Sequence, residues 1–461
     1  MTSKLKEFLA ASEQKAFDER HRKIIKHNTG VYEKAYRQGL EQFSDLALAR
    51  KRAAACKHRV LENLEEYLKE FEHNFVGNGG KVFWAQDAKE ALDAVIDIAQ
   101  KNFVRKVVKS KSMVTEEIGL REFLEKNGIE TYETDLGEYI VQLSKDKPYH
   151  IVTPAMHLTA ADVSSIFAKE HGLPDNSSPQ EITAFVRQHL KEKFINADMG
   201  ITGANFLVSS TGSVAITENE GNGVLSASLP PVHVVIAGIE KIIPSLEDLD
   251  NFWPLLSSHA TGQNLSCYNT IINGRRKHEE QDGPQQVYVI LLDNGRSNLL
   301  SKIPQRRALS CIKCGACLNV CPIFKNIGGH SYGAVYQGPI GAVINPHIND
   351  FKEYVHLSYA STLCGKCTEV CPVNIDLHHQ LLKNRQMNVD LNLPHKNEKR
   401  ALKAFKWIMS KRSRLEKIKP KWKNFGVRFF FKESWGERRE LPSVAPKSFA
   451  QLWEEKNKSP K

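Results

Sequence analysis

The stretch that decides the fold of the C-terminal part is Cys311-Ile-Lys-Cys314-Gly-Ala-Cys317-Leu-Asn-Val-Cys321-Pro322. Its C-x2-C-x2-C-x3-C-P spacing holds 4Fe–4S clusters in bacterial-type ferredoxins. Three thiolates at three-residue spacing wrap a tight loop around one cluster, whereas the fourth, followed by a proline that begins a helix, ligates a second cluster. Structural zinc favours two separated cysteine pairs. The run therefore predicts an iron–sulfur site.

A second run repeats the pattern with one change, as Ser361-Thr-Leu-Cys364-Gly-Lys-Cys367-Thr-Glu-Val-Cys371-Pro372. By the crossed rule, the cofactor ligands and metal-binding residues of the first 4Fe–4S cluster are Cys311, Cys314, Cys317 and Cys371. Those of the second 4Fe–4S cluster are Cys321, Cys364 and Cys367. Three of the four cysteine positions of the motif are present in order, which favours a second cluster over a motif that no longer binds one.

The fourth ligand of the second cluster is open, because Ser361 stands where the pattern has cysteine. A serine oxygen, a distant cysteine (Cys56 or Cys267), a ligand from a partner and a three-iron cluster each fit the spacing. Iron–sulfur clusters move electrons one at a time and do not by themselves oxidise an organic substrate. Their potentials span about −700 to +450 mV, so the spacing fixes no potential.

The composition is that of a globular protein, with 41% hydrophobic and 25% charged residues. The 461 residues exceed one ordinary core, so two or more folded units are expected. The N-terminal sequence MTSKLKEFLAASEQKAFDER lacks the apolar segment of a signal peptide, and no apolar run reaches the roughly 18–20 residues of a membrane span. A cytoplasmic protein is expected. In that compartment, seven crowded cysteines indicate metal chemistry rather than disulfides.

Four regions follow from the patterning of the chain. Residues 1–75 are predicted to be helical. Residues 76–300 alternate helices and strands, which predicts an α/β domain with a largely parallel sheet; the strands expected in it are Lys81–Ala85, Arg105–Val108, Gly128–Tyr132, Asn205–Ser209, Ser213–Thr217, Val232–Ala237 and Val287–Leu292. Residues 301–385 are expected to form a small α-helical ferredoxin-like domain, and residues 386–461 a basic, aromatic C-terminal segment.

The positive charge is concentrated in that last segment. Residues 396–432 hold 14 Lys or Arg against two Glu, a local net charge of +12, while the whole chain carries +11. The rest of the chain is therefore close to neutral and is not a nucleic-acid-binding surface. Aromatic residues such as Trp407, Trp422 and Phe425 interleave the basic ones. Docking to an acidic partner is the favoured interpretation, ahead of peripheral contact with anionic lipid.

Other motifs predict no catalytic residue. No G-x-G-x-x-G follows a strand and opens a helix, so a nicotinamide or flavin domain of that type is unsupported. Residues 200–213 are rich in glycine and hydroxyl side chains, which suits an anion-binding nest but is better explained by tight turns between buried strands. Glu218 and Glu220 suit acid–base roles, although solvated loop carboxylates are commoner.

The chain resembles the lactate-utilisation iron–sulfur protein B family over nearly its whole length. The resemblance is carried by the two cysteine motifs, the basic C-terminal segment and four further motifs: Lys109–Glu117, Glu133–Glu138, Pro154–His157 and Gly203–Ile216. It implies a fold similar to the ribose-isomerase and CoA-transferase-like α/β group, followed by the cluster domain. In that family the second cysteine motif also begins at the position of Cys364, so Ser361 is typical of it.

The resemblance further implies an electron-transfer subunit in the oxidation of L-lactate to pyruvate. Two companion subunits are expected, one cysteine-rich and one with a lactate-utilisation domain alone. The alternatives are a self-contained oxidoreductase, with its substrate near Gly203–Ser213 passing electrons to the cluster of Cys321, and a redox-sensing iron–sulfur protein. We expect the electron-transfer subunit.

Overall fold

The computed structural model describes residues 2–393, 396–435 and 440–458. The chain forms two compact units, residues 1–390 and 391–461. The strands of the first unit are β1 Lys81–Ala85, β2 Lys106–Lys109, β3 Glu130–Glu133, β4 Met199–Thr202, β5 Phe206–Val208, β6 Ser213–Glu218, β7 Val232–Gly238, β8 Ile242–Ile243, β9 Tyr268–Ile272 and β10 Gln286–Leu292.

The first unit begins with helices, as predicted. They are α1 Ser3–Ala16, α2 Glu19–Leu40, α3 Leu46–Glu62 and α4 Leu64–Gly77. The side chains of Thr2, Asp18 and Asp45 cap the first three by accepting a hydrogen bond from a backbone N–H three residues on. The buried aromatic rings of Phe71 and Phe75 in α4 pack against the sheets.

A six-stranded sheet in the order β1-β10-β7-β4-β2-β3 dominates the α/β region. Its paired strands are all parallel. The interior strand β10 is buried from Val287 to Leu292, because a parallel sheet is covered by helices on both faces. The predicted α/β class with a largely parallel sheet is confirmed.

A second, four-stranded sheet in the order β8-β5-β6-β9 was not predicted. The segments Asn205–Ser209 and Ser213–Thr217 do form strands, but they pair with each other antiparallel. The reason is the length of the connection. Only Ser209–Thr211 and Gly212, with a φ of 61°, separate β5 from β6, and a parallel crossover needs a dozen or more residues.

The helices of the α/β region are α5 Ala88–Lys101, α6 Met113–Glu117, α7 Leu120–Lys126, α8 Leu136–Leu143, α9 Ala160–His171, α10 Pro179–Ile195, α11 Asn222–Ser228, α12 Leu249–Ala260 and α13 Arg296–Leu300. Asp87 caps α5, with Glu90 N donating to Asp87 Oδ1 over 2.9 Å. Gly119, with a φ of 65°, separates α6 from α7.

The cysteine region is made of short helices. They are α14 Ala316–Val320, α15 Pro322–Ile327, α16 Gly338–Ile348, α17 Phe351–Tyr354, α18 Lys366–Glu369 and α19 Leu377–Asp390. Its buried side chains belong to a core shared with α12 and β5, in which the Phe324 ring lies 6.0 Å from the Tyr149 ring. The cysteine region and the α/β region therefore fold as one compact unit.

The second unit contains helices α20 Lys396–Met409, α21 Arg412–Lys417, α22 Pro420–Trp435 and α23 Phe449–Lys458. The predicted C-terminal segment is described apart from residues 394–395, 436–439 and 459–461. No helix in the described ranges is both long and apolar enough to cross a bilayer.

Candidate metal centre and the adjoining cavity

The two cysteine loops have the same backbone conformation. Lys313 and Leu363, each just before the second cysteine position of its loop, have φ of 61° and 55°. Gly315 and Gly365, just after that position, have φ of 78° and 81°. Each glycine precedes a short helix, α14 or α18. Left-handed residues turn backbone N–H groups toward the inside of a loop, which suits the binding of an anionic group.

Backbone N–H groups point at the sulfur atoms. Lys313 N donates to Cys311 Sγ over 3.4 Å, and Ile375 N donates to Cys371 Sγ over 3.3 Å. Such donors stabilise thiolates and the negative charge of an iron–sulfur group. Buried thiols with amide donors aimed at them are the donor set that this group requires. The residues present therefore fit iron–sulfur clusters.

Electrostatic interactions divide the thiols into two groups. Burial raises the pKa of Cys314, and the neighbouring thiols of Cys311 and Cys371 raise it further. Burial also raises the pKa of Cys321, and the thiol of Cys364 raises it further. Cys371, which lies in the other loop, is thus a neighbour of the first loop's thiols. The crossed assignment of ligands to two clusters stays a prediction.

Cys367 and Cys317 connect the two groups. Burial raises the pKa of Cys367 to about 11, with further contributions from Cys321 and Cys364. The pKa of Cys317 is raised by burial and by thiols of both groups, Cys311, Cys314 and Cys367. Because metal ligands must be deprotonated, cluster binding has to displace these protons.

The two groups differ in exposure. Cys314, Cys317 and Cys371 are buried and Cys311 is half-buried, whereas Cys364 of the second group is exposed. Hydrogen bonding from the backbone N–H of Lys366 lowers the pKa of the Cys364 thiol. The second group therefore reaches the protein surface and the first lies inside.

The two remaining cysteines lie outside the two loops. Cys56 is buried in α3, where burial and the carboxylate of Asp248 raise its pKa to about 12. It belongs to the same core as the buried thiols of the loops. Cys267 is exposed, and its backbone N–H donates to Asn219 Oδ1 over 3.1 Å.

A cavity of about 300 Å³ opens at the carboxyl ends of β2, β3 and β4. Ser110–Met113 follow β2, Asp135 follows β3 and Gly203–Asn205 follow β4, and all of them line it. β2 lies between β4 and β3 in the sheet. The chain therefore places β3 on one side of β2 and the next strand of this sheet, β4, on the other side. Ligands bind at such switch points in open α/β sheets. Part of the glycine-rich stretch thus lines a cavity, although the stretch also forms the expected tight turn.

Three lysines reach this cavity: Lys111, Lys241 and Lys313. Lys111 Nζ donates to the carbonyl of Val152, and Lys313 Nζ lies 3.9 Å from the centroid of the Tyr336 ring. Lys241 is only 7% exposed. Burial lowers the pKa of Lys241 to about 8, although the carboxylate of Glu240 opposes the shift. An anionic ligand in the cavity would offset the cost of burying this ammonium.

Carboxylates line the opposite part of the cavity, and they cap helices. Glu218 accepts hydrogen bonds from Gly223 N (2.6 Å) and Val224 N (2.8 Å) at the start of α11. Glu220 accepts one from Leu136 N over 3.1 Å at the start of α8. These contacts give both residues a structural role. Burial, together with the carboxylate of Asp135, also raises the pKa of Glu220 to about 7.

The wall between the cavity and the metal centre is the first cysteine loop. Lys313, between Cys311 and Cys314, lines the cavity. A Cβ on Gly315 would lie 3.0 Å from Cε1 of His150, so the α/β region and the loop are in close contact. Lys313, which reaches the cavity, belongs to the loop of Cys311. The hypothesis that a substrate in the cavity passes electrons to the cluster of Cys321 stays a prediction.

A buried ion-pair network joins the same two regions. Arg296 is 3% exposed; its Nη1 and Nη2 atoms each lie 2.9 Å from an oxygen of Glu117, and its Nε lies 2.6 Å from Glu240 Oε2. Tyr336 of the cysteine region donates to Glu117 Oε2 over 2.6 Å. Burial opposes ionisation, but Arg296 nevertheless lowers the pKa of Glu240 to about 2. The network keeps its charges and holds the cysteine region on the sheet.

Comparisons with known proteins agree with this architecture. Residues 68–292 match the LUD domain family and residues 307–375 the 4Fe-4S dicluster domain family. Lactate utilization protein B of Bacillus cytotoxicus is 42% identical over 414 residues, which cover 87% of each chain. The protein of the same name from Oceanobacillus iheyensis is 38% identical over 95% of this chain and 94% of its own.

The chain belongs to the lactate utilization protein B family. The resemblance seen in the sequence is therefore confirmed, and the dicluster domain indicates iron–sulfur clusters. A crystal structure of a DUF162 family protein from Deinococcus radiodurans is 16% identical, with a TM-score of 0.28, over 50% of this chain and 98% of its own.

The motifs of the lactate utilization protein B resemblance come together around the end of β2. Lys109 is fully buried, with its Nζ 2.8 Å from Glu133 and 3.4 Å from both Glu116 and Glu138. Burial raises the pKa of Glu138. The neighbouring motif residues Ser110–Met113 turn instead into the cavity.

In this member of the lactate utilization protein B family, four residues of the cavity and the ion-pair network were not identified from the sequence: Lys241, Lys313, Arg296 and Tyr336. One signal was available for Lys241, which directly follows Glu240 within Val232–Ile243, the most apolar stretch of the chain. Charged residues inside an apolar stretch are expected to be paired or functional. Nothing in the sequence indicated that Lys313 would line the same cavity as Lys241.

Proposed function

We propose that this chain is the iron–sulfur electron-transfer subunit of a complex that oxidises L-lactate to pyruvate. The observation that carries the proposal is the pair of cysteine loops with matching backbone conformation, packed in one core and reaching the surface at Cys364. The relatives are named for lactate utilization. The absence of a nicotinamide or flavin fingerprint from the sequence supports an electron-transfer role over a self-contained one.

The proposed ligand assignment follows the two groups of thiols. Cys311, Cys314, Cys317 and Cys371 would hold the first 4Fe–4S cluster, and Cys321, Cys364 and Cys367 the second. When bound, such clusters supply one-electron transfer. The residues of the chain exclude water from the first group, since three of its four thiols are buried. Their amide donors lower the cost of added negative charge.

The exposure of Cys364 supports electron exchange with a companion at that point. The adjacent Lys366 is exposed and pairs only with Glu369, 2.9 Å away, among the described residues. We infer that two companion subunits, one cysteine-rich and one with a lactate-utilisation domain alone, complete the complex. In this proposal lactate reacts on a companion and this chain carries the electrons.

The C-terminal unit supplies a suitable docking surface for an acidic companion. The rings of Trp422, Phe425 and Phe429 lie in contact along α22, with centroids 6.2 and 6.0 Å apart. Each of these side chains is at least 60% exposed. Aromatic side chains among basic residues are typical of protein interfaces.

Co-expression with the two companions tests the proposal. We expect the three chains to purify together anaerobically and to reduce an artificial acceptor with L-lactate. This chain alone, fully loaded with iron and sulfide, is expected to accept electrons from dithionite but not from L-lactate. Full-rate lactate oxidation by the isolated chain would contradict the subunit role.

A second candidate function rests on the cavity. Its three lysines, one of them largely buried, suit a small carboxylate such as lactate or pyruvate. The first cysteine loop forms part of its wall, so a ligand there would lie beside the first cluster site. On this alternative the chain is a self-contained oxidoreductase with its substrate in the α/β region.

Calorimetric titration with L-lactate and pyruvate tests this candidate. A hydrogen bond to a charged group is worth about 1.5–3 kcal/mol, so Lys241→Gln is expected to weaken binding about 10- to 100-fold. Affinity should fall as the pH rises through about 8, where Lys241 loses its positive charge. The exposed Lys191→Gln is the control and should bind normally. Absence of binding to the wild-type chain would exclude the second candidate and leave the first.

A further inference from the structure

We propose that Oγ of Ser361 is the fourth ligand of the second 4Fe–4S cluster. The inference rests on the proposed function, since it requires that the second cluster exists. It assigns a role to the position at which the second cysteine motif departs from the ferredoxin spacing.

The geometry of the two loops carries this assignment. Lys313 N donates to Cys311 Sγ over 3.4 Å, and Leu363 N donates to Ser361 Oγ over 3.1 Å. Both donors lie two residues after the side chain that accepts, and both have a left-handed φ. Ser361 Oγ therefore occupies in its loop the position that Cys311 Sγ occupies in the other. Cys311 is a predicted ligand, so the corresponding oxygen is presented to the second cluster site.

The turns that follow are also the same. Leu318 N donates to Gly315 O over 2.9 Å, and Thr368 N donates to Gly365 O over 3.0 Å. The match thus extends from the first position of each motif into the helices α14 and α18. Such extended correspondence is not expected if Ser361 were an ordinary surface serine.

The backbone of Ser361 is fixed from outside the loop. Arg385 Nη2 donates to the carbonyl of Ser361 over 3.2 Å, and Arg385 Nε donates to the carbonyl of Ser358 over 2.9 Å. The guanidinium also lies 5.0 Å from the centroid of the Tyr359 ring. A ligand needs this support, because iron–ligand distances tolerate little movement.

The two other intramolecular candidates lie outside the second loop. Cys56 is in α3 and Cys267 is on an exposed segment, where its backbone N–H donates to Asn219. Ser361, by contrast, is in the same loop as Cys364 and Cys367, at the first position of the motif.

Ligation needs no oxidant or reductant. The Ser361 O–H bond breaks, its proton passes to water, and an Oγ–Fe bond forms at the iron without a thiolate. Metal binding is commonly coupled to the loss of a proton from the ligand in this way. Ser361 is half-buried, so water is available to accept the proton.

Anaerobic purification of four chains tests the assignment: the wild type, Ser361→Ala, Ser361→Cys and Ser301→Ala. Ser301 is the matched control, since it is an exposed serine outside both loops whose hydroxyl donates to the carbonyl of Asn298 over 2.7 Å. EPR and Mössbauer spectra are recorded before and after mild oxidation. The wild type and Ser301→Ala are expected to keep four-iron clusters. Ser361→Ala should lose about one iron per chain on oxidation and show the EPR signal of a three-iron cluster.

The conservative variant keeps the test independent of folding. Ser361→Cys is expected to retain the iron of the wild type but with an altered Mössbauer signature, because a thiolate replaces an oxygen at one iron. The assignment is overturned if the wild type already holds a three-iron second cluster, or if Ser361→Ala keeps its iron like the wild type. A chain that holds only one cluster in every variant would instead defeat the proposed function on which the inference rests.

Discussion

Cys371→Ala is expected to disturb the same iron–sulfur cluster as Cys311→Ala, although the two residues lie in different loops. The thiol of Cys371 interacts with that of Cys311, and both raise the pKa of Cys314. Loss of a buried ligand should release most of that cluster, so the iron content should fall by about half, from about eight to about four atoms per chain. Iron analysis and EPR of the reduced protein measure the change.

Cys364→Ala provides the matched comparison for this prediction. It removes the exposed ligand of the other group, so the EPR signal that it removes should be the one that Cys371→Ala leaves intact. If instead Cys371→Ala and Cys364→Ala removed the same signal, the ligands would not be crossed between the loops. The proposed assignment would then be wrong.

Arg296→Met is expected to destabilise the first unit by about 3–5 kcal/mol. The change leaves the carboxylates of Glu117 and Glu240 buried without their cation. Glu117, which loses its cation, also accepts the hydrogen bond of Tyr336 from the cysteine region, so we expect that region to loosen first. Thermal unfolding of the anaerobically purified, cluster-loaded chain, followed by the visible absorbance of the clusters, measures the effect.

Two further variants test whether the loss of stability comes from the unpaired carboxylates. Arg306→Met removes an arginine that donates a hydrogen bond to the carbonyl of Leu300 over 2.9 Å, and it should cost less than Arg296→Met because it leaves no buried charge unpaired. Adding Glu117→Gln and Glu240→Gln to Arg296→Met should restore part of the stability, because it removes the unpaired charges. A melting temperature of Arg296→Met equal to that of the wild type would show that the network does not hold the two regions together.

Local sequence signals predicted many elements of the fold, though not all. Five of the six strands of the large sheet were predicted to within two residues, whereas β4 was not predicted, and the cysteine spacing predicted the two loops. The second sheet was missed because its strands look the same in sequence as those of the large sheet. Only the short connection through Gly212, which forces an antiparallel hairpin, distinguishes them.

The cavity could not be predicted, because it depends on which strand ends become neighbours. Ser112 and Gly203 lie far apart in sequence but are so close in the fold that a Cβ on Gly203 would be 2.6 Å from Ser112 Oγ. Lys313 was seen only as part of a cysteine motif, and its contact with the α/β region depends on the shared core. Ser361 was recognised as a departure from the pattern, but its hydrogen bond from Leu363 N requires the three-dimensional structure.

The most direct test of the account is iron and acid-labile sulfide analysis, with EPR, of the full chain purified without oxygen. Two clusters held by crossed ligands predict about eight iron and eight sulfide per chain, and two magnetically interacting spins after reduction. Because the two groups of thiols meet at Cys317 and Cys367, the clusters should lie close enough for their spins to couple. A chain that contains zinc or no metal after anaerobic reconstitution would contradict the account.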